Sequence, residues 1–195
     1  MHIRLFAVLL AGLCVAFAGG CASAHDTEQL KAIFNSGLVA YDAGRYDEAF
    51  KIFQSIDNED VAAMRNEGLM LRKGQGTAKD PQAALDVLER AADAGLPTAQ
   101  YDLAEMLMDG EAGKPDPKRA LPWLALAAAA HHPLAEYRLG LLYEQGVLVE
   151  KNLNLARNLY TVAAQAGVRD AQERLVALGG SVPESPPPDA PAGKP

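Results

Sequence analysis

Cysteine is nearly missing from this chain: its 195 residues hold Cys14 and Cys21 and no other. Cys14 lies in an apolar stretch near the N-terminus, so a chain trimmed there keeps at most Cys21. That excludes an internal disulfide and leaves no thiol nucleophile in the folded region. Serine is scarce as well. Only Ser36 and Ser55 fall where the chain reads as folded, and neither sits in a Gly-x-Ser-x-Gly elbow, which argues against a serine hydrolase. Aromatic residues make up 6% against 49% hydrophobic residues, the mark of an all-helical domain built from small aliphatic contacts. Positive charge is short too, with 18 Lys and Arg against 25 Asp and Glu. Phosphate binding needs clustered cations, so the balance argues against a nucleic-acid partner.

The N-terminus reads as an export leader. Met1 to Arg4 give a basic start, Leu5 to Phe17 an uncharged apolar run too short to span a bilayer comfortably, and Ala18 to Ala24 a stretch of small residues. Two ways of processing it stand open. Ala22-Ser23-Ala24 is an A-x-A site that removes residues 1–24 and releases a chain starting at His25. Ala18-Gly19-Gly20-Cys21 resembles a bacterial lipobox, with Ala18 in place of the usual leucine. Cleavage there removes 1–20 and leaves an acylated Cys21. Either way the expected location is the periplasm, soluble or held at the outer membrane by lipidated Cys21, with no other membrane contact. Loss of Arg4 takes the formal charge from −7 to about −8.

Internal repetition fixes the fold class. Ala63, Ala99, Ala135 and Ala171 are spaced by one common period of 36, and so are Gly74, Gly110 and Gly146, and Ala84, Ala120 and Ala156. Ala91-Ala92, Ala127-Ala128 and Ala163-Ala164 keep the same register, as do Leu71, Leu107 and Tyr143, and Leu88, Leu124 and Tyr160. Within a period, apolar residues recur at three- and four-residue spacing in two blocks, which predicts two helices. Gly74, Gly110 and Gly146 are placed to end the first helix in a left-handed conformation. Asp80-Pro81 and Asp116-Pro117 start the second as cap and first-turn proline, with Asn152 capping the third copy. Gly95 and Gly167 close the second helices. A helix pair can cover its apolar side only by stacking on the next pair.

These residues resemble the Sel-one-like repeat family. Ala135, Leu139, Gly140, Tyr143, Gly146, Val149, Asn152, Ala156, Ala163, Ala164 and Gly167 follow its pattern, and the two preceding copies follow it less closely. Glu67 stands where the other copies have Leu103 and Leu139, which marks that helix interface as the weak one. Ala104 replaces a glycine, and Leu148 replaces the loop glycine found at Gly76. Upstream, Gly37, Gly44, Tyr46, Ala49 and Phe53 have the spacing of a tetratricopeptide repeat. The resemblance implies an all-α fold, a right-handed superhelical solenoid of antiparallel helix pairs. Its units are a tetratricopeptide-like repeat over 28–61, Sel-one-like repeats over 62–97, 98–133 and 134–169, and a capping helix over 170–179. Residues 180–195, with six prolines after Ser181, read as a disordered polyproline-rich tail, a spacer rather than a docking ligand.

Chemistry is hard to find. Gly74-Gln75-Gly76-Thr77 lacks the Lys-Ser/Thr ending of a phosphate loop. His131-His132 falls at the end of a second helix, where a ring is expected to satisfy the last carbonyls rather than bind metal. His25 could form an N-terminal histidine brace, a chemistry that belongs to β-sandwiches. Asp57, Glu59 and Asp60 read as a solvated acidic turn. Pro122 sits inside a helix and is expected to kink it beside Trp123, whose register with Val87 and Leu159 suggests core. No catalytic residue, metal site or cofactor is indicated.

The resemblance also implies a site. In such repeats the first helix of each unit lines the concave side, and the partner-facing positions here are Phe34, Leu38 and Tyr41; Arg65, Leu69 and Arg72; Tyr101, Glu105 and Met108; and Tyr137, Leu141 and Glu144. The rings serve as anchors if exposed and as packing between units if not. The function implied is a non-catalytic adaptor or scaffold of the cell envelope holding a protein or peptide segment. A muropeptide-binding module is an alternative. A β-lactam or cell-wall hydrolase is a remoter one, because the relatives to which that activity is ascribed are rich in cysteine.

Overall fold

The computed structural model describes residues 26–182; the leader, with Cys21 and His25, and residues 183–195 of the tail lie outside the described residues. Nine helices and no strand occur among the described residues. They are α1 (Thr27–Asp42), α2 (Tyr46–Ile56), α3 (Val61–Lys73), α4 (Pro81–Asp93), α5 (Pro97–Asp109), α6 (Pro117–Ala129), α7 (Pro133–Gln145), α8 (Leu153–Gln165) and α9 (Arg169–Ala177). Each helix packs against the one before it and the one after it, giving an all-α repeat solenoid of four helix pairs and a closing helix.

Local chemistry sets the ends of these helices. The carboxylates of Asp80 and Asp116 and the amide oxygen of Asn152 each accept a backbone N–H three residues on, at 3.0, 3.1 and 3.0 Å. Each satisfies an amide the helix itself cannot. Gly74, Gly110 and Gly146 end α3, α5 and α7 with φ of 72°, 69° and 73°, the left-handed conformation only glycine adopts without penalty. The acidic turn is not solvated as expected. Asp57 is buried and accepts from Arg90 at 3.0 Å, while Asp60 caps α3 through the Ala63 amide.

The periodic alanines form the contact surface between helices. Ala63, Ala99, Ala135 and Ala171 have no exposed surface, nor have Ala84, Ala120 and Ala156 or Ala91, Ala127 and Ala163. Side chains this small let backbones approach closely, while Leu88, Leu103, Leu124 and Tyr160 fill the space between. Removing one such leucine from water contributes roughly 1.5–3 kcal/mol. The α6 helix runs unbroken through Pro122, and Trp123 is half-buried against the central core, as its register with Val87 and Leu159 suggests.

The histidine pair corrects another expectation. His132 caps the N-terminus of α7, its Nδ1 accepting from the Ala135 amide at 3.3 Å, instead of satisfying carbonyls at the end of α6. His131 occupies the left-handed position with φ of 59°, where the neighbouring copies carry Gly95 and Gly167.

Candidate functional site

The odd-numbered helices lie in a row and carry all twelve positions that the sequence assigns to a partner-binding face. None of the twelve is fully buried. At the first unit, the Phe34 ring meets Phe53 at 5.7 Å, and Leu38 is 37% exposed. Tyr41 leans edge-on against Tyr46 and donates its hydroxyl to Gln75 Oε1 at 3.0 Å. Tyr101 stacks on the His132 ring at 4.7 Å, and Tyr137 lies against the buried Tyr160 ring at 5.9 Å. Leu69, Met108 and Leu141 are half-buried. Phe34, Tyr41 and Tyr137 therefore pack on the second helix of their own pair, Tyr41 and Tyr101 also reach the start or loop of the next, and all four keep a solvent edge.

The charged members of the set are spoken for. Arg65 donates to Asp102 Oδ2 at 2.6 Å, and Arg138 to Glu105 Oε2 at 2.6 Å. Arg72 grips both oxygens of Glu111. Glu144 accepts the Tyr160 hydroxyl at 2.6 Å and faces Arg174 at 3.4 Å. Each of these pairs but the Tyr160 bond joins one odd-numbered helix, or the loop after it, to the next. Their charges tie the repeats together.

Electrostatics follow the geometry. The hydrogen bonds from Arg72 hold the Glu111 carboxyl below its ordinary range. Burial and the hydrogen bond to Glu144 push the Tyr160 hydroxyl upward, and burial together with the Glu105 charge does the same to Tyr101. Burial lowers the His132 pKa, with Asp102 opposing and Arg65 assisting. No group of three or more His, Cys, Asp or Glu among the described residues is placed to hold a metal ion.

Sequence reasoning missed Asp102, Glu111, Arg138, His132 and Arg174. A signal was present: Asn66, Asp102, Arg138 and Arg174 fall in one column of the 36-residue period, beside the columns that were chosen. Polar residues recur at every copy of that position, and three of the four join neighbouring repeats in ion pairs.

Helix pairs stacked by small residues, with an accessible face along one row of helices, define a helical repeat scaffold. The Sel1 repeat model matches residues 61–96, 97–132 and 133–168, and the chain belongs to the Sel1 repeat family. It is similar to a Sel1 repeat protein from Oxalobacter formigenes, with 33% identity and a TM-score of 0.71 over 78% of this chain and 64% of that one. It is also similar to a protective antigen present in uropathogenic Escherichia coli strains that displays an SLR fold, with 26% identity and a TM-score of 0.70 over 78% of this chain and 34% of the other. The chain thus spans less than two thirds of the length of either. A putative sel1 repeat protein from Klebsiella pneumoniae, 19% identical with a TM-score of 0.50 over 77% of each chain, shares the fold. No curated protein matches the chain. Sel1 repeat proteins generally mediate protein–protein interaction, and their fold is typically a non-catalytic scaffold.

Proposed function

We propose that the protein is a non-catalytic adaptor of the bacterial cell envelope, exported by its N-terminal leader, that holds a segment of a partner protein along the row of odd-numbered helices. One observation carries the reading: Leu38, Tyr41, Leu69, Tyr101, Met108, Tyr137 and Leu141 all keep surface open to solvent while Arg65, Arg72, Glu105 and Glu144 on the same row are fixed in pairs between repeats. A surface held in place before binding loses little side-chain freedom when a partner arrives. Its aromatic members supply the contacts that dominate interface energetics.

The test replaces Tyr101, Met108 and Tyr137 together with alanine and captures partners in the envelope by crosslinking. The native partner set is expected to shrink while circular dichroism shows an intact helical fold. An unchanged set from folded protein defeats the reading. Mass spectrometry of the native N-terminus tests the export step and separates removal at Ala24 from acylation of Cys21. The solvent edges of Tyr41, Tyr101 and Tyr137 favour one second reading, a muropeptide-binding module, which titration with muropeptides distinguishes from peptide binding.

A further inference from the structure

The 36-residue column of Asn66, Asp102, Arg138 and Arg174 is not uniform in its bonding. Asp102, Arg138 and Arg174 are each fixed in an ion pair with another odd-numbered helix. Asn66 differs: it is half-buried, and its side-chain amide has no hydrogen-bond partner among the described residues. No ion pair joins α1 to α3 among the described residues either, so the chain of paired charges runs from α3 to α9 and stops short of α1.

A pocket of about 230 Å³ occupies that gap. Phe53 and Met70, each 1% exposed, form its floor, and Leu38 and Leu69 its apolar sides, with Asn66 also lining it. The exposed Asp42 and Lys73 stand where α1 and α3 end, a rim of balanced charge with neither ion paired among the described residues. Asn66 and Lys73 are seven residues apart on one helix, about 10 Å along its axis. An extended peptide covers that length with about three residues.

We infer that this pocket receives one large apolar side chain from an uncharged, extended peptide segment, with Asn66 bonding the segment's backbone. The volume suits one side chain rather than a drug-sized ligand, which takes roughly 300–1,000 Å³. An asparagine amide offers one acceptor and two donors, the complement of a peptide group's own N–H and C=O. The balanced rim favours a segment without net charge. This inference rests on the adaptor reading and names the chemistry of what it holds.

The test uses blocked pentapeptides, acetyl-Gly-Gly-X-Gly-Gly-amide with X as Phe, Leu or Ala, titrated into the isotopically labelled protein and followed by NMR. The Phe and Leu peptides are expected to shift the Leu38, Asn66 and Leu69 signals and to bind about ten-fold more tightly than the Ala peptide. Asn66→Ala, with unchanged thermal stability, is expected to weaken the Phe peptide several-fold. Equal affinity for Phe and Ala, or no shift at the pocket with any peptide, overturns the inference. Shifts confined to α5 and α7 also overturn it, yet leave the adaptor reading standing, whereas an unchanged partner set in the crosslinking experiment defeats that reading independently.

Discussion

His131 Nδ1 lies 3.1 Å from Glu136 Oε1, and each of the two departs from the neighbouring copies at its own position in the repeat. Where Glu136 stands, Gln100 and Gln172 donate from their amides to the carbonyls of Ala92 and Ala164, at 3.2 and 3.3 Å. An ionised glutamate cannot donate. It is 3% exposed, and its second oxygen has no hydrogen-bond partner. His131, where the others have glycine, reaches it at the cost of a left-handed backbone. Non-glycine residues held there cost of order 1–3 kcal/mol. The double change His131→Gly with Glu136→Gln restores the pattern of both neighbours and is expected to raise stability by about 1–2 kcal/mol. His131→Gly alone, which strands the buried carboxylate, should gain less. Urea unfolding of the native protein and the two variants checks the order.

Glu67 takes the place of Leu103 and Leu139 and is 5% exposed, with one oxygen lacking a hydrogen-bond partner. Burial, and then the charge of Asp57, raise its pKa above the ordinary glutamate value, against the Gln54 hydrogen bond and Arg90. Because the folded-state pKa is the higher one, folding favours the protonated acid, and the ionised form costs stability at neutral pH. That cost fades as pH falls through the folded pKa toward the unfolded one. Glu67→Leu is therefore expected to stabilise the protein by about 1–2 kcal/mol at pH 7, and its advantage over the native chain to shrink on acidification. Thermal melts of both across pH 4–7 measure this.

His132 gives the opposite dependence. Its folded pKa is depressed by burial, so its contribution is present above the unfolded value of about 6.5 and is lost as pH falls through the folded one. Protonation also removes the Nδ1 acceptor that caps α7. Melting temperature is expected to drop below about pH 6.5. In His132→Asn, which can still cap, that part of the drop should be absent. A melting series across pH 5–8 for both proteins decides it.

Arg65 and Asp102 tie α3 to α5 at 2.6 Å and are both mostly shielded. A double-mutant cycle with Arg65→Ala and Asp102→Ala is expected to give a coupling of about 1 kcal/mol, weakening as salt is raised. A coupling near zero would show that the pair adds nothing to the join between the repeats.

A β-carbon placed on Gly140 would lie 2.6 Å from Tyr160 Cε1. The second copy carries Ala104 at this position and Leu124 in the register of Tyr160. Gly140→Ala is expected to destabilise by about 1–3 kcal/mol. Adding Tyr160→Leu should recover part of that loss, despite giving up the hydroxyl bond to Glu144. Denaturant midpoints for the single and double variants test the rescue.

Helices, caps and the buried alanines were legible because the 36-residue period repeats them and each answers to local backbone chemistry. Asp80, Asp116, Asn152 and Gly146 needed no knowledge of the rest of the chain. The face was legible as a set of columns but not as a set of free side chains. Arg65 reaches Asp102 and Glu105 reaches Arg138 across 37 and 33 residues, and no local pattern tells whether a charge on a column points to solvent or to its counterpart one repeat away. The histidine pair misled differently, because its signal is local: His132-Pro133 repeats the cap-then-proline pattern of Asp80-Pro81 and marks the start of α7, not the end of α6. Asp57 misled as those charges did, its partner Arg90 lying two helices on.

Packing of each helix on its immediate neighbours means that native contacts form between stretches close together along the chain. Chains of such low contact order fold fast, on the microsecond-to-millisecond scale of helical bundles, with little loop-closure entropy to overcome. Any adjacent helix pair can serve as the nucleus from which order spreads in either direction. Such a chain begins to assemble from its leading end while the ribosome is still adding the remainder.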